Sequence, residues 1–171
     1  MKKTLKLTII SIVSALVFSG TVGCGKSAGE DDKIKVSVTS VPHAEILEHI
    51  QPELAERGVT VELTVTDDYN VHNRAVAEKE VDANFFQHSP FLEDQIQEFG
   101  YEIQEFGKIH IEPLGIYSKK ITSLNDLPDG ATISIPNDPT NEARALALLH
   151  RNGLIELNDL DNLSPTIIDI T

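Results

Sequence analysis

A cluster of aromatic side chains lies in the middle of the chain, in the stretch DANFFQHSPFL. It places Phe85, Phe86, His88 and Phe91 within seven positions of a chain that has six phenylalanines. Side chains alternate along an extended strand, so Phe86 and His88 face one way and Phe85 faces the other. An apolar wall with one polar tip is typical of a small-ligand pocket, whereas burial in a core is the simpler explanation for Phe85.

Arg144 lies early in a predicted helix that follows the stretch IPNDPTN. The N-terminus of a helix presents free N–H groups and partial positive charge, and a guanidinium beside it offers two parallel hydrogen bonds to a carboxylate. The alternative is a surface ion pair with Glu142 or another neighbour, worth at most about 1 kcal/mol. The residues by themselves favour neither interpretation.

The chain has six histidines, which are potential metal ligands. His43 and His49 are six positions apart on a predicted helix, about 240° around its axis, and therefore do not share a face. His72, His88 and His110 could meet only through the fold, and their spacing matches no metal motif. We therefore predict no metal site and no cofactor.

Catalytic motifs are equally absent from the sequence. There is no Gly-x-Ser-x-Gly elbow, and no pair of carboxylates stands out from a generally acidic chain. We predict that the protein is not an enzyme.

The stretch SGTVGCGKSAG near the N-terminus allows two interpretations. Its Gly-x-x-x-x-Gly-Lys-Ser pattern matches a phosphate-binding loop, but acidic residues follow it where an apolar-faced helix should begin. The lysines at the start of the chain and the apolar run over residues 7–18 are typical of an export signal, too short to span a membrane. We therefore predict a signal peptide over residues 1–23, a lipid-modified Cys24 that anchors the chain in a bilayer, and a flexible tether over 24–32.

The charge of the chain limits its partners. The formal net charge of -13 becomes -16 once residues 1–23, with their three lysines, are removed. Nucleic-acid binding needs a basic face, so we predict no nucleic-acid partner. With Cys24, the one cysteine, joined to lipid, no disulfide forms within the chain.

The periodicity of apolar residues predicts strands alternating with helices, which is typical of an α/β sandwich. The predicted strands cover residues 33–40, 59–65, 82–86 and 131–136, with a further extended segment over 108–118. The predicted helices cover residues 44–57, 71–79, 90–100 and 141–152. The opening order of strand, helix and strand is the unit that builds a parallel sheet. Gly58 should end the first helix, and Asp138 or Thr140 should cap the last.

Four stretches in this order, VPHAEILE, DANFFQHSPFLED, IHIEPLGIYSKK and IPNDPTNEARALALL, resemble the successive signatures of one family. It is the family of methionine-binding lipoproteins of ABC importers, often called the NlpA or MetQ family. The resemblance covers residues 34–171. It implies a periplasmic-binding-protein-like (type II) two-lobed α/β fold. Residues 33–116 would form the first lobe without its C-terminal return, and residues 117–171 would begin a second lobe that stays incomplete.

The resemblance also implies a function and a site. The chain would bind L-methionine and deliver it to an ABC permease driven by a separate ATPase subunit, from a lipid anchor facing the periplasm or the cell exterior. Tyr69, Phe86, His88 and Phe91 would line the pocket for the thioether side chain. Arg144, with Asn141 nearby, would hold the α-carboxylate.

Family members continue through most of a second lobe, so a truncated chain should bind methionine weakly or not at all. Two alternatives remain open from the sequence. One is a protein of the same fold with another cargo, either a methionine-containing dipeptide or a metal ion. The other is a surface module that serves interactions rather than transport.

Overall fold

A computed structural model describes residues 32–171 with the exception of Leu160. The predicted signal peptide and Cys24 lie outside the described residues. The strands are β1 (Asp32–Val38), β2 (Val59–Val65) and β3 (Ala83–Phe85). The longer helices are α1 (Glu45–Glu56), α2 (Tyr69–Ala77), α3 (Ser89–Phe99) and α4 (Pro139–Arg151). A π-helical turn covers Ser40–Ala44, and 3-10 turns cover Leu124–Asp126 and Ile167–Asp169.

The three strands form one sheet in the order β2-β1-β3. β1 and β3 run parallel, with Val36 opposite Ala83 and Val38 opposite Phe85. The predicted opening of strand, helix and strand is confirmed by the order β1, α1, β2. Because parallel strands end at the same edge of a sheet, the residues after Val38 and those after Phe85 lie side by side.

The middle strand, β1, is covered on both faces. Val36 and Val38 form a core with Ala44, against which Leu47, Val61, Leu63, Ala83 and Phe85 pack. The core interpretation of Phe85 is thus confirmed. Ser37 near the end of this strand and Thr39 just after it are buried as well, whereas Lys33 and Lys35 at its start are exposed. The hydroxyls of Ser37 and Thr39 are hydrogen-bonded to the imidazoles of His72 and His43.

Local signals place the helix ends. α1 is followed by Gly58 at a φ of 80°, a conformation that favours glycine. Asp138 caps α4, because its carboxylate accepts the N–H of Asn141 at 2.9 Å. Of the two predicted caps, the structure therefore has Asp138. The cap fixes the first turn of α4, which carries Asn141, and Arg144 follows in the second turn.

The predicted strand over residues 131–136 is wrong, since this segment forms neither strand nor helix. An extended segment becomes a strand only where a neighbour exchanges backbone hydrogen bonds with it. Its apolar side chains instead line a groove of about 540 Å³, together with residues of α4 such as Leu146 and Leu149. The predicted extended segment over 108–118 likewise pairs with no strand among the described residues.

The length and apolar character of the helices over the described residues bear on membrane spanning. None of them combines the length and the apolar character needed to cross a bilayer.

Candidate functional site

Three aromatic rings meet just beyond the end of β3. Phe86 is only 6% exposed, and its ring lies 5.4 Å from that of Tyr69 and 5.7 Å from that of Phe91. Tyr69 and Phe91 are 5.8 Å apart. All three pairs are edge-to-face, the arrangement that aromatic quadrupoles favour. The structure therefore brings together three of the predicted pocket residues.

Tyr69 forms the rim of this cluster. It is the first residue of α2, next to Asp68, whose carboxylate caps the helix by accepting the N–H of Asn70 at 3.0 Å. Its side chain stays 41% exposed. Burial raises the pKa of Tyr69, as do the carboxylates of Glu112, Asp138 and Asp67. The phenol therefore stays protonated at neutral pH and can donate a hydrogen bond.

His72 supports the cluster from behind. It is fully buried, and its ring stacks on Phe86 with centroids 4.1 Å apart. Its Nδ1 is hydrogen-bonded to Ser37 Oγ at 2.7 Å. Burial, the largest effect, lowers the pKa of His72. This neutral imidazole fixes the ring of Phe86 against the sheet.

A network of three amides fixes the chain next to Phe86. The Asn73 Oδ1 accepts hydrogen bonds from Asn84 at 2.9 Å and from Gln87 at 2.7 Å. The Asn73 Nδ2 donates in return to Gln87 Oε1 at 2.8 Å. Because Asn84 and Gln87 flank the two phenylalanines in sequence, this network ties their backbone to α2. Sequence reasoning missed it, since single amides carry no pattern.

His88 lies at the N-terminal cap of α3. Its ring tilts against Phe91 at 6.4 Å, and its Nε2 is buried without a hydrogen-bond partner in the described part of the chain. Burial lowers the pKa of His88, the guanidinium of Arg144 lowers it further, and the carboxylate of Asp138 opposes them. A neutral imidazole with an unused nitrogen can exchange a hydrogen bond with a ligand.

Arg144 is held by two neutral oxygens. Its Nη1 donates to Asn141 Oδ1 at 2.7 Å, and its Nη2 donates to the main-chain oxygen of Glu112 at 3.1 Å. Over the described residues, no carboxylate forms a salt bridge with Arg144. Glu142, the predicted ion-pair partner, instead accepts the N–H of Ile167. The guanidinium therefore keeps an uncompensated charge for an anion.

Packing of α3 against α4 brings these two parts of the site together. One part is the aromatic cluster and the other is the guanidinium of Arg144. His88 lies near both, because its ring contacts Phe91 and the charge of Arg144 lowers its pKa. This arrangement suits a small ligand that combines an apolar side chain with a carboxylate.

The fold and this site are those of a binding protein rather than a catalyst. A family model described as NlpA lipoprotein matches residues 34–171. The chain belongs to the NlpA lipoprotein family, as its signature stretches indicated.

Two relatives illustrate the likeness. The methionine-binding lipoprotein MetQ of Bacillus subtilis (strain 168) is 45% identical over 161 residues, covering 91% of this chain and 59% of the relative. The D-methionine-binding lipoprotein MetQ of Escherichia coli (strain K12) is 39% identical over 167 residues, covering 96% of this chain and 62% of the relative. The chain thus spans about three fifths of their length. Both names describe binding proteins, which confirms the expectation that the family is not enzymatic.

A solved structure extends the likeness to the fold. A nutrient-binding protein from Burkholderia cenocepacia, solved bound to methionine, superimposes with a TM-score of 0.75 at 39% identity. The match covers 81% of this chain and 59% of that one. The predicted periplasmic-binding-protein-like α/β fold is therefore confirmed.

Proposed function

We propose that this chain is the substrate-binding lipoprotein of an ABC importer and that its ligand is L-methionine. One observation carries the proposal. Arg144, which forms no salt bridge among the described residues, lies near enough to His88 to lower the pKa of its imidazole, and His88 contacts Phe91 of the aromatic cluster. The names of the two relatives and the methionine-bound neighbour support the same ligand.

The bound amino acid would use both halves of the site. Its thioether would lie against the rings of Tyr69, Phe86 and Phe91, where each sulfur–aromatic contact contributes about 0.3–1.5 kcal/mol. Its carboxylate would accept paired hydrogen bonds from Arg144, which Asn141 orients. His88 Nε2 would supply a further hydrogen bond to the ligand.

The partners and the location follow from the family. Membership in a lipoprotein family implies a membrane-anchored protein. We propose Cys24 as the lipidated residue, an outward or periplasmic orientation, and a permease with its ATPase as the partners. Residues 33–116 would form one lobe and residues 117–171 part of another.

Methionine titration of the full chain in detergent tests the ligand. The contacts described here predict weak binding, with a Kd on the order of 1 mM, or about -4 kcal/mol. Saturation-transfer NMR on the methionine methyl signal detects binding in this range. Removing a hydrogen bond to a charged group costs about 1.5–3 kcal/mol, so Arg144→Ala should abolish the signal.

Arg151→Ala is the matched control, because Arg151 is an exposed arginine of the same helix. It should leave the methionine signal unchanged. Equal signals from the two variants would refute the role of Arg144. A dipeptide that outcompetes methionine would show a different cargo, and a complete lack of ligand response would favour an interaction module.

A further inference from the structure

A second cluster of polar side chains lies beside the methionine site. It consists of His43, His110 and Glu112, whose ligand atoms all lie within 4.8 Å of one another. His43 Nε2 is 3.4 Å from Glu112 Oε1, and His110 Nε2 is 2.7 Å from the same oxygen. Two imidazoles and a carboxylate form a donor set that zinc and similar divalent ions bind.

The spacing of these atoms is close to that of a zinc site. Nitrogen and oxygen ligands lie about 2.0–2.2 Å from zinc, so neighbouring ligand atoms in a tetrahedron are about 3.3 Å apart. The distance of 3.4 Å between His43 and Glu112 already fits. The distance between His110 Nε2 and Glu112 Oε1 would have to lengthen by about 0.6 Å to reach the tetrahedral value. Glu112 is half-exposed, and its segment forms neither helix nor strand, so its side chain has room to move.

The surroundings of His43 resemble those of a metal ligand. Its Nδ1 lies 2.6 Å from Thr39 Oγ1. A ligating histidine usually binds the ion through one ring nitrogen and donates its other N–H to an oxygen. Here Nδ1–H would donate to Thr39, leaving the Nε2 lone pair directed at Glu112.

An apolar side chain holds both imidazoles in place. The ring of Phe85 lies edge-on to His43 at 4.6 Å and to His110 at 5.6 Å. This packing restricts both histidines before any ion arrives. The acidic character of the chain, with a formal net charge of -13, also attracts cations.

From this geometry we propose that His43, His110 and Glu112 form a binding site for a divalent zinc-like cation. Three protein ligands leave one coordination position open. The ion would fix Glu112, whose main-chain oxygen accepts a hydrogen bond from Arg144. The spacing of the histidines matches no metal motif, and only the fold brings His43 to His110 and Glu112.

Zinc titration of the full chain, stripped of metal and held in detergent without methionine, tests this proposal. Calorimetry should detect one zinc ion per chain, and cobalt substitution should produce the visible absorption bands of four-coordinate Co²⁺. Mutating a residue that only hydrogen-bonds to a metal ligand already lowers the affinity for the metal about 10–100-fold. Glu112→Gln and His110→Gln should therefore each weaken zinc binding at least about 10-fold.

His49→Gln is the matched control, because His49 is an exposed histidine on α1 outside the cluster. It should bind zinc like the unsubstituted chain. Absence of zinc binding by the unsubstituted chain would overturn the proposal, as would equal affinities for all three variants. The titration contains no methionine, so its outcome is independent of the proposed transport function.

Discussion

The ring of Phe86 should be the largest single contributor to the stability of the aromatic cluster. It is 6% exposed, contacts Tyr69 and Phe91 by their edges, and stacks on the buried His72. Replacing a buried phenylalanine by alanine removes apolar contacts and leaves a cavity, at a cost of about 3–5 kcal/mol. This cost includes the lost aromatic pairs, which contribute about 0.5–1.5 kcal/mol each.

Urea unfolding of the full chain measures this cost directly. Native domains are stable by about 5–15 kcal/mol, so Phe86→Ala should remove a large fraction of the unfolding free energy. For a chain of this size each kcal/mol lowers Tm by about 2–4 °C, and the expected fall is therefore about 6–20 °C.

Phe106→Ala is the matched control, because Phe106 is 86% exposed. Surface substitutions change stability by about 0.5 kcal/mol or less. If Phe86→Ala costs no more than Phe106→Ala, then Phe86 is not packed as described, and the proposed apolar wall of the site loses its support.

Two further predictions concern the buried groups behind the site. Asn73→Ala removes the amide that hydrogen-bonds both Asn84 and Gln87. These two side chains are part-buried and keep a hydrogen bond to each other at 3.2 Å, so the cost in urea unfolding should be about 1 kcal/mol in total, at the low end for a lost hydrogen-bond partner. Asn125→Ala at an exposed position should cost less, and equal costs would contradict the network. Burial lowers the pKa of both His72 and His88 in the folded chain, so the unfolded chain binds more protons once the pH falls below about 6.5. The unfolding free energy should therefore be higher at pH 7.5 than at pH 5.5, and His72→Gln should reduce that difference; a gain in stability on acidification would reverse the argument.

Local pattern was sufficient for most of the secondary structure. Alternation predicted β1 and β2, apolar residues at helical spacing predicted α1, and Gly58 and Asp138 marked helix ends that the structure has. These features depend on neighbours within a few positions, and a sequence records those directly. The wall of Phe86, His88 and Phe91 was predictable for the same reason, because these residues are close in sequence, whereas Tyr69, 17 residues before Phe86, was expected only from the family resemblance.

Pairing between distant segments was decided by the tertiary structure. Residues 131–136 alternate like a strand but pair with no strand in the part of the chain that the structure describes. The sequence also left open whether Arg144 forms a surface ion pair. In the fold, its guanidinium instead donates to the main-chain oxygen of Glu112, 32 residues away.

The sequence by itself thus determined most of the helices and strands, the family and the chemical types of the site residues, because these follow from local order and signature stretches. It could not determine that Asn73 binds Gln87 or that His43 meets His110 and Glu112. Hydrogen bonds and metal geometry depend on distances of a few ångströms between side chains, and only packing of the sheet and helices sets those distances.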